Sequence, residues 1–259
     1  KRIVITKDAT TIVAGVETLS NHTFRQSNHT DPENFRKMLV AMARDVRVLL
    51  VKIADRLHAM RRLQDVPEEA RFDIAQETMD IYAPLANRLG IAWLKSEFED
   101  LAFRYTQPEA YHELARQIAK KKHERRAYTE LVESRIRAVL DERGFADATV
   151  KGRAKHLFSI HRKMKGQGID FDQVFDLIAF RVIVDTIPQC YEVLGIVHTE
   201  WKPIPGRFKD YIALPKANMY QSLHTAVIGP RGEKLEVQIR TREMNRVAEE
   251  GIAAHWKYK

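Results

Sequence analysis

Residues 235–240 read LEVQIR, and the six letters alternate without a slip. Leu235, Val237 and Ile239 fall on one side, Glu236, Gln238 and Arg240 on the other. Successive side chains of a strand point to opposite faces, so this spacing predicts a β-strand with one apolar and one functional face. The turn-forming stretch GPRGEK (229–234) separates it from SLHTAVI (222–228), and the two segments are expected to pair as a hairpin. A third strand is read in FDLIAFRVIVD (175–185), apolar and rich in β-branched residues. Short helices are expected at 155–166, at 188–200 and from Arg242 to the end. The second half, from about 146, is therefore α+β.

Upstream the period changes. Residues 31–143 read as helix throughout. Asp31-Pro32 is a helix start, and Phe35, Met38, Leu39, Met42, Val46, Leu49, Leu50, Ile53, Leu57 and Met60 recur at steps of three and four, with a break expected near Asp45. Pro67 opens a further helix with Phe72, Ala75, Met79 and Tyr82 on one side, and Gly90 stops it. Another carries Leu94, Phe98, Leu101 and Tyr105, and Pro108 starts a last long helix. KKKHERR (120–126) is read as a solvated helix face, with an RNA contact as the alternative. The boundary between the halves falls near Gly144.

The chain has 259 residues, 44% hydrophobic and 30% charged, with a net charge of +8. That fits one large or two modest soluble domains and favours anionic partners such as nucleotides. No apolar run approaches the length of a membrane span. The first residues lack both a secretory pattern and an initiator Met, so a fragment is expected. The single cysteine, Cys190, allows no intrachain disulfide framework and suits a reducing cytoplasm.

A polar strand face is by default a solvated one, but the neighbouring segments argue otherwise here. SLHT can present His224 or Ser222 beside Glu236. Asp176 begins the apolar strand, and two carboxylates brought together could hold Mg²⁺. GRAKHLFSIHRK (152–163) offers Arg153, Lys155, His156, Arg162 and Lys163 near a helix start, where the helix dipole favours anions. GRFKDYIALPKANMYQSLHT (206–225) adds cations and rings, too polar for a core strand and too aromatic for a linker. The inventory suits a polyphosphate carrying a base to stack. There is no Walker A, GxGxxG or CxxC pattern, so neither a P-loop nor a dinucleotide fold is expected.

Taken together, GRAKHLFSIHRKM, FDLIAFRVIV, YEVLGIVHTEWKPIPGRFKDYIALPKANMYQSLHTAVIGP, LEVQIRT and GIAAHWKYK resemble the synthetase domain of the RelA/SpoT homologue family, which makes and degrades (p)ppGpp. ENFRKMLVAMARDVRVLLVKIADRLHAMRRL resembles the second part of that family's HD-type hydrolase domain, and IYAPLANRLGIAWLKSEFEDLAFRY its helical connector. The resemblance implies an α+β chain: an all-helical N-terminal half followed by a mixed-sheet, nucleotidyltransferase-like synthetase domain. A partial hydrolase domain is expected at 1–70, a connector at 71–143 and the synthetase at 144–259. The implied reaction moves pyrophosphate from ATP to the 3′-OH of GDP or GTP.

By motif position, Asp176 and Glu236 are the implied Mg²⁺ ligands, with Glu236 also helping to deprotonate the hydroxyl. Arg153, Lys155, Ser159, Lys163 and Lys209 match the ATP site. Tyr220 matches the guanine-stacking ring, and Lys216, Asn218, Gln221, His224 and Gln238 the rest of the GDP/GTP site. The family's usual NGYQS is NMYQS here, with Met219 for Gly, a strained substitution if that position needs positive φ. The basic tetrad RFKD (207–210) is the form found in bifunctional members.

The hydrolase implied by the resemblance needs His, His-Asp and a later Asp for its Mn²⁺, and no HD dipeptide occurs in the chain. Asp55 in KIADRLHAMR is the matching ligand, and Ala59 and Arg62 replace the family's usual Asn and Thr. No hydrolysis is expected; otherwise Asp55 is a helix residue pairing with Arg56 or Arg61, and His58 is packed or on the surface. An inactive nucleotide- or RNA-binding module, or a Mn²⁺-dependent hydrolase completed by further residues, are the competing readings. Expected partners are ATP, GDP/GTP and (p)ppGpp in the cytoplasm, with no membrane and no DNA. The resemblance also implies a possible ribosome partner, through the C-terminal regulatory domains of the family, which are not expected within these residues.

Overall fold

A computed structural model describes residues 10, 12–14, 46–174 and 178–251. The helix start at Asp31-Pro32, the residues Phe35 to Asp45, Asp176 and the last eight residues lie outside the described ones.

The first half is helical, as its period requires. Helices α1 (Val46–Arg61), α2 (Glu68–Glu77), α3 (Ala83–Arg88) and α4 (Ala92–Thr106) enclose a core of Leu49, Ile53, Met60, Leu63, Leu85, Leu94 and Phe98. Between α2 and α3, Thr78–Tyr82 form a π-helical turn. Its extra residue shifts the buried stripe to Ala75, Thr78 and Tyr82, and Phe72, expected inside, is 52% exposed.

The expected single long helix after Pro108 is two: α5 (Pro108–Lys120) and α6 (Lys122–Glu142), broken at Lys121. The break falls inside KKKHERR and has a packing reason. Leu114 of α5 joins Phe103, Ile160, Phe171 and Val174 in one small core, whereas Val132, Ile136 and Leu140 of α6 cover the sheet. A straight helix could not serve both. Lys121 also reaches Asp172, 2.5 Å away.

The second half carries a five-stranded mixed sheet, order β1-β2-β5-β4-β3, from β1 (Thr149–Ala154), β2 (Ile178–Val184), β3 (Lys209–Asp210), β4 (Leu223–Ile228) and β5 (Lys234–Thr241). The expected hairpin is β4–β5, with Thr225 opposite Val237. β2 runs parallel to β5, and Ala179 sits beside Glu236. The other helices are α7 (Leu157–Gln167), α8 (Ile187–Glu200) and α9 (Arg242–Glu250). Sequence reading missed β1 and β3, one an edge strand interrupted by Gly152, the other two residues long.

One face of the sheet buries Val150, Phe180, Val182, Leu223, Val227, Val237 and Ile239 against α6 and α8. The halves meet at a close backbone approach: a side chain at Gly251, which has φ +60°, would fall 2.3 Å from the Leu89 carbonyl, so only glycine fits. Among the described residues, no helix is long and apolar enough to cross a membrane.

Candidate active site

The other sheet face holds the polar residues, because alternation fixes them there. Pairing sets Arg153 beside Ala179, Arg181 beside Gln238, His224 beside Gln238 and Lys209 beside His224. All five strands thus contribute side chains to one surface. It is not the open face that base rates favour: Arg240 is only 1% exposed.

Glu236 lies at the centre. Its Oε2 meets Lys155 Nζ at 2.9 Å, and its Oε1 accepts from Gln238 Nε2 at 2.9 Å. Burial disfavours the carboxylate, but Lys155, the Gln238 hydrogen bond and His224 outweigh that and hold the carboxyl below its ordinary value. His224 is pushed down to about 4, chiefly by burial and against the pull of Glu236, with Lys216, Arg240 and Lys209 adding repulsion. It is therefore neutral near pH 7, and its 3.6 Å approach to Glu236 is a dipole contact rather than an ion pair. With the ring proton on Nδ1, Nε2 accepts from the Tyr220 hydroxyl at 2.7 Å.

Tyr220 is enclosed. Tyr211 lies edge-on at 6.1 Å, Lys216 Nζ is 4.9 Å from the ring centroid and the Arg240 guanidinium 5.6 Å. Burial, against the nearby Arg240, raises the phenol's pKa. Lys216 also lies 4.4 Å over Tyr211, and burial with repulsion from Lys209 and Lys95 lowers its pKa.

Two arginines on this face were not singled out from the sequence as ligands. Arg181 donates to Asn245 (3.2 Å) and Glu249 (2.7 Å) of α9. Arg240 leaves Nε and Nη1 without a partner, and burial, with repulsion from Arg181 and Arg153, pushes it down to about 10. Arg153 is lowered too, by burial and then by Arg181. Three guanidinium groups thus gather with Glu249 as a nearby counter-charge, an arrangement suited to an anion. The signal was an arginine inside the apolar run IAFRVIV and another closing LEVQIR.

The remaining expected residues are less converged. Asn218 donates to the Asn87 carbonyl (2.9 Å) in the helical half, and Gln221 to the Ile212 carbonyl (3.3 Å), so both amides are occupied by backbone. Met219 has φ +63°, the left-handed conformation that suits the glycine it replaces. Ser159 and Lys163 lie one turn apart on α7. Asp55, on α1, is apart from this surface. Its carboxylate is 72% exposed and 3.8 Å from Lys52, not paired with Arg56 or Arg61, which bind Glu77 and Glu97. His58 is exposed.

Among the described residues, no three His, Cys, Asp or Glu side chains gather as a metal site. Glu236 alone fits a divalent ion only as part of a set completed by phosphate oxygens, water or Asp176, which lies outside the described residues.

Comparison with known proteins bears on this face directly. Residues 152–259 match the model for the region found in RelA / SpoT proteins, and residues 5–92 match an HD domain. The chain is 58% identical over 251 residues to a GTP pyrophosphokinase of Myxococcus xanthus, covering 96% of this chain and 33% of that protein. The chain belongs to the RelA/SpoT family. A Streptomyces antibioticus GTP pyrophosphokinase is 50% identical over 248 residues, covering 96% of this chain and 29% of that one. A probable guanosine-3′,5′-bis(diphosphate) 3′-pyrophosphohydrolase of Synechocystis is 48% identical over 253 residues, covering 98% and 33%. This RelA/SpoT chain thus spans about a third of the length of these relatives, and the RelA/SpoT region holds the whole polar face from Arg153 to Glu249.

Proposed function

We propose that the chain is a (p)ppGpp synthetase, transferring pyrophosphate from ATP to the 3′-OH of GDP or GTP. The observation that carries this is Glu236, an ionised, half-buried carboxylate set among Lys155, Gln238, neutral His224 and Tyr220.

In the reaction the 3′-oxygen attacks the β-phosphorus of ATP, the bond between that phosphorus and the α–β bridging oxygen breaks, and AMP leaves. Glu236 takes the hydroxyl proton. Two lysines now cover the groups this requires: Lys155 sits on Glu236, and Lys216 lies over Tyr220. A polyphosphate draws both away. Released from Lys155, the carboxyl loses the neighbour that most depresses its pKa and becomes a better base. Released from Lys216, the Tyr220 ring can stack on guanine, a contact of roughly 1–3 kcal/mol. Arg153, Arg181 and Arg240 neutralise phosphate charge, which is the main task in phosphoryl-type transfer. Ser159, Lys163 and Lys209 would complete the ATP side, and Asn218 and Gln221 the guanine edge once freed from backbone. Synthetases of this family use a divalent metal; we take it to be Mg²⁺, held through Glu236 and Asp176, where it supplies charge neutralisation. On this reading the protein works in the cytoplasm.

The test mixes protein with ATP, GDP and Mg²⁺ and separates the products. AMP and ppGpp are expected from the unaltered chain and not from Glu236→Gln. Nucleotide binding without AMP would instead support an inactive binding module.

The HD-domain match raises a second activity. We infer that this chain does not hydrolyse (p)ppGpp, because the HD dipeptide is missing and Asp55 is solvated. Pyrophosphate release from ppGpp with Mn²⁺ would overturn that.

A further inference from the structure

Asp100 lies on α4, in the helical half, and nothing in its sequence context marks it. Yet its carboxylate reaches into the synthetase half and makes two contacts there. Oδ1 accepts from the Phe158 backbone N–H at 2.8 Å, and Oδ2 meets His156 Nδ1 at 3.1 Å. His156 Nε2 in turn lies 3.1 Å from Arg153 Nη2. Phe158 is in the first turn of α7, whose own preceding residue provides no side-chain cap. Asp100 thus caps this helix from another element.

The chemistry of the chain fixes its direction. A guanidinium nitrogen can only donate, so His156 Nε2 must be the bare, accepting nitrogen. The ring proton is then on Nδ1 and is donated to Asp100. A carboxylate that selects the tautomer of a histidine, which then orients a functional group, is the way supporting residues tune metal ligands. Here the group oriented is a guanidinium. Arg153 otherwise stands among repelling cations, Arg181 and Arg240, with the Glu249 carboxylate as a weaker attraction. The same helix is tied to α4 beside this point, where Arg162 lies 3.7 Å from Glu99.

We propose that Asp100 is a positioning residue of the synthetase. Through the tautomer of His156 it aims the Arg153 guanidinium at the ATP phosphates, and by capping α7 it sets the helix carrying Ser159 and Lys163. The proposal rests on the reading of Arg153 as an ATP ligand. It makes the helical half part of the donor-nucleotide site rather than a neighbour of it.

Asp100→Asn tests this in the 259-residue chain. An asparagine has one acceptor for two donors. If its oxygen stays on the Phe158 N–H, its amide faces His156 Nδ1 and drives the ring proton to Nε2, against Arg153. Expected are a loss of about tenfold in affinity for a non-hydrolysable ATP analogue, GDP affinity within about twofold of the original, and a change of His156 tautomer in ¹⁵N spectra. His156→Phe keeps the ring shape without the acceptor and is expected to lose the same factor, which keeps the test open should Asp100→Asn fold poorly. ATP-analogue affinity within about twofold in both variants overturns the proposal, as does an equal fall for both nucleotides. Should the unaltered chain bind no ATP analogue, the reading of the donor site fails. The tautomer then decides the relay alone: a proton on Nε2 of the unaltered protein sinks it.

Discussion

The two faces of the sheet come from the same strands and differ in almost every respect. One carries Phe180, Val182, Val237 and Ile239, each at 0% exposure under α6 and α8. The other carries Arg153, Arg181, His224, Glu236 and Arg240, with buried side-chain donors left unpaired on two of them. The first face lowers free energy by removing apolar surface from water. The second raises it, because desolvated donors left without a partner, Nε of Arg181 and Nε and Nη1 of Arg240, cost stability. A fold keeps such a face for what it binds, so stability and function should separate by face.

The largest effect expected belongs to function alone. Glu236→Gln keeps size and hydrogen bonding but removes the base, and AMP formation should fall on the order of 10³-fold with the melting temperature nearly unchanged. Loss of folding in that variant would mean the carboxylate is structural, and the contrast between faces would fail. Phe180→Ala is the opposite case. It should cost about 3–5 kcal/mol in denaturant unfolding, while any protein that stays folded binds nucleotide as before.

Arg240→Met sharpens the comparison, since it makes one position of the second face obey the rule of the first. Replacing a buried charge that leaves Nε and Nη1 without hydrogen-bond partners by an apolar side chain should leave stability unchanged or raise it by about 1 kcal/mol. Affinity for GDP should drop about tenfold as the cation beneath Tyr220 disappears. A lower melting temperature would show that the guanidinium is satisfied and that the face is not held in reserve for an anion.

How much of this was legible follows the same division. Strict alternation in LEVQIR settled both faces of β5, and the hairpin followed from GPRGEK, because period and turn chemistry are local. Arg240 was placed on the correct face, but its burial was invisible: that depends on Tyr220, Arg181 and Arg153 arriving from three other segments. Asp100 had no signal at all, since its partners are Phe158 and His156, more than fifty residues away. The break at Lys121 was missed because the local letters favour helix, and only the diverging cores of α5 and α6 force the turn. The assignment of Tyr220, Lys216 and Glu236 to a nucleotide came from resemblance. What the geometry adds is that Lys155 sits on Glu236 and Lys216 lies over the Tyr220 ring.

Cys190 offers a direct check on the apolar face. It is the chain's single cysteine, at 0% exposure in α8, and burial raises its thiol to about 11. At pH 8 a disulfide-exchange reagent should find no thiol in the folded protein and one per chain in denaturant. Labelling of the folded state would mean that α8 lifts from the sheet.

The smallest expected effect lies at the edge of the second face. Met219 is held at φ +63° and is 57% exposed, so it carries the cost of a left-handed backbone with little packing in return. That conformation costs an L-residue about 1–2 kcal/mol. Glycine removes the cost but loses roughly 0.5–1 kcal/mol more chain entropy on folding. Met219→Gly should therefore stabilise by about 0.5 kcal/mol, and more visibly slow amide exchange through Lys216–Gln221, whose turn closes with the Met219 N–H on the Lys216 carbonyl at 2.8 Å. Met219→Ala separates the two contributions. It keeps the strain and loses only the exposed side chain, so it should leave exchange where it was. If alanine slows exchange as much as glycine does, the side chain rather than the backbone is what loosens this loop.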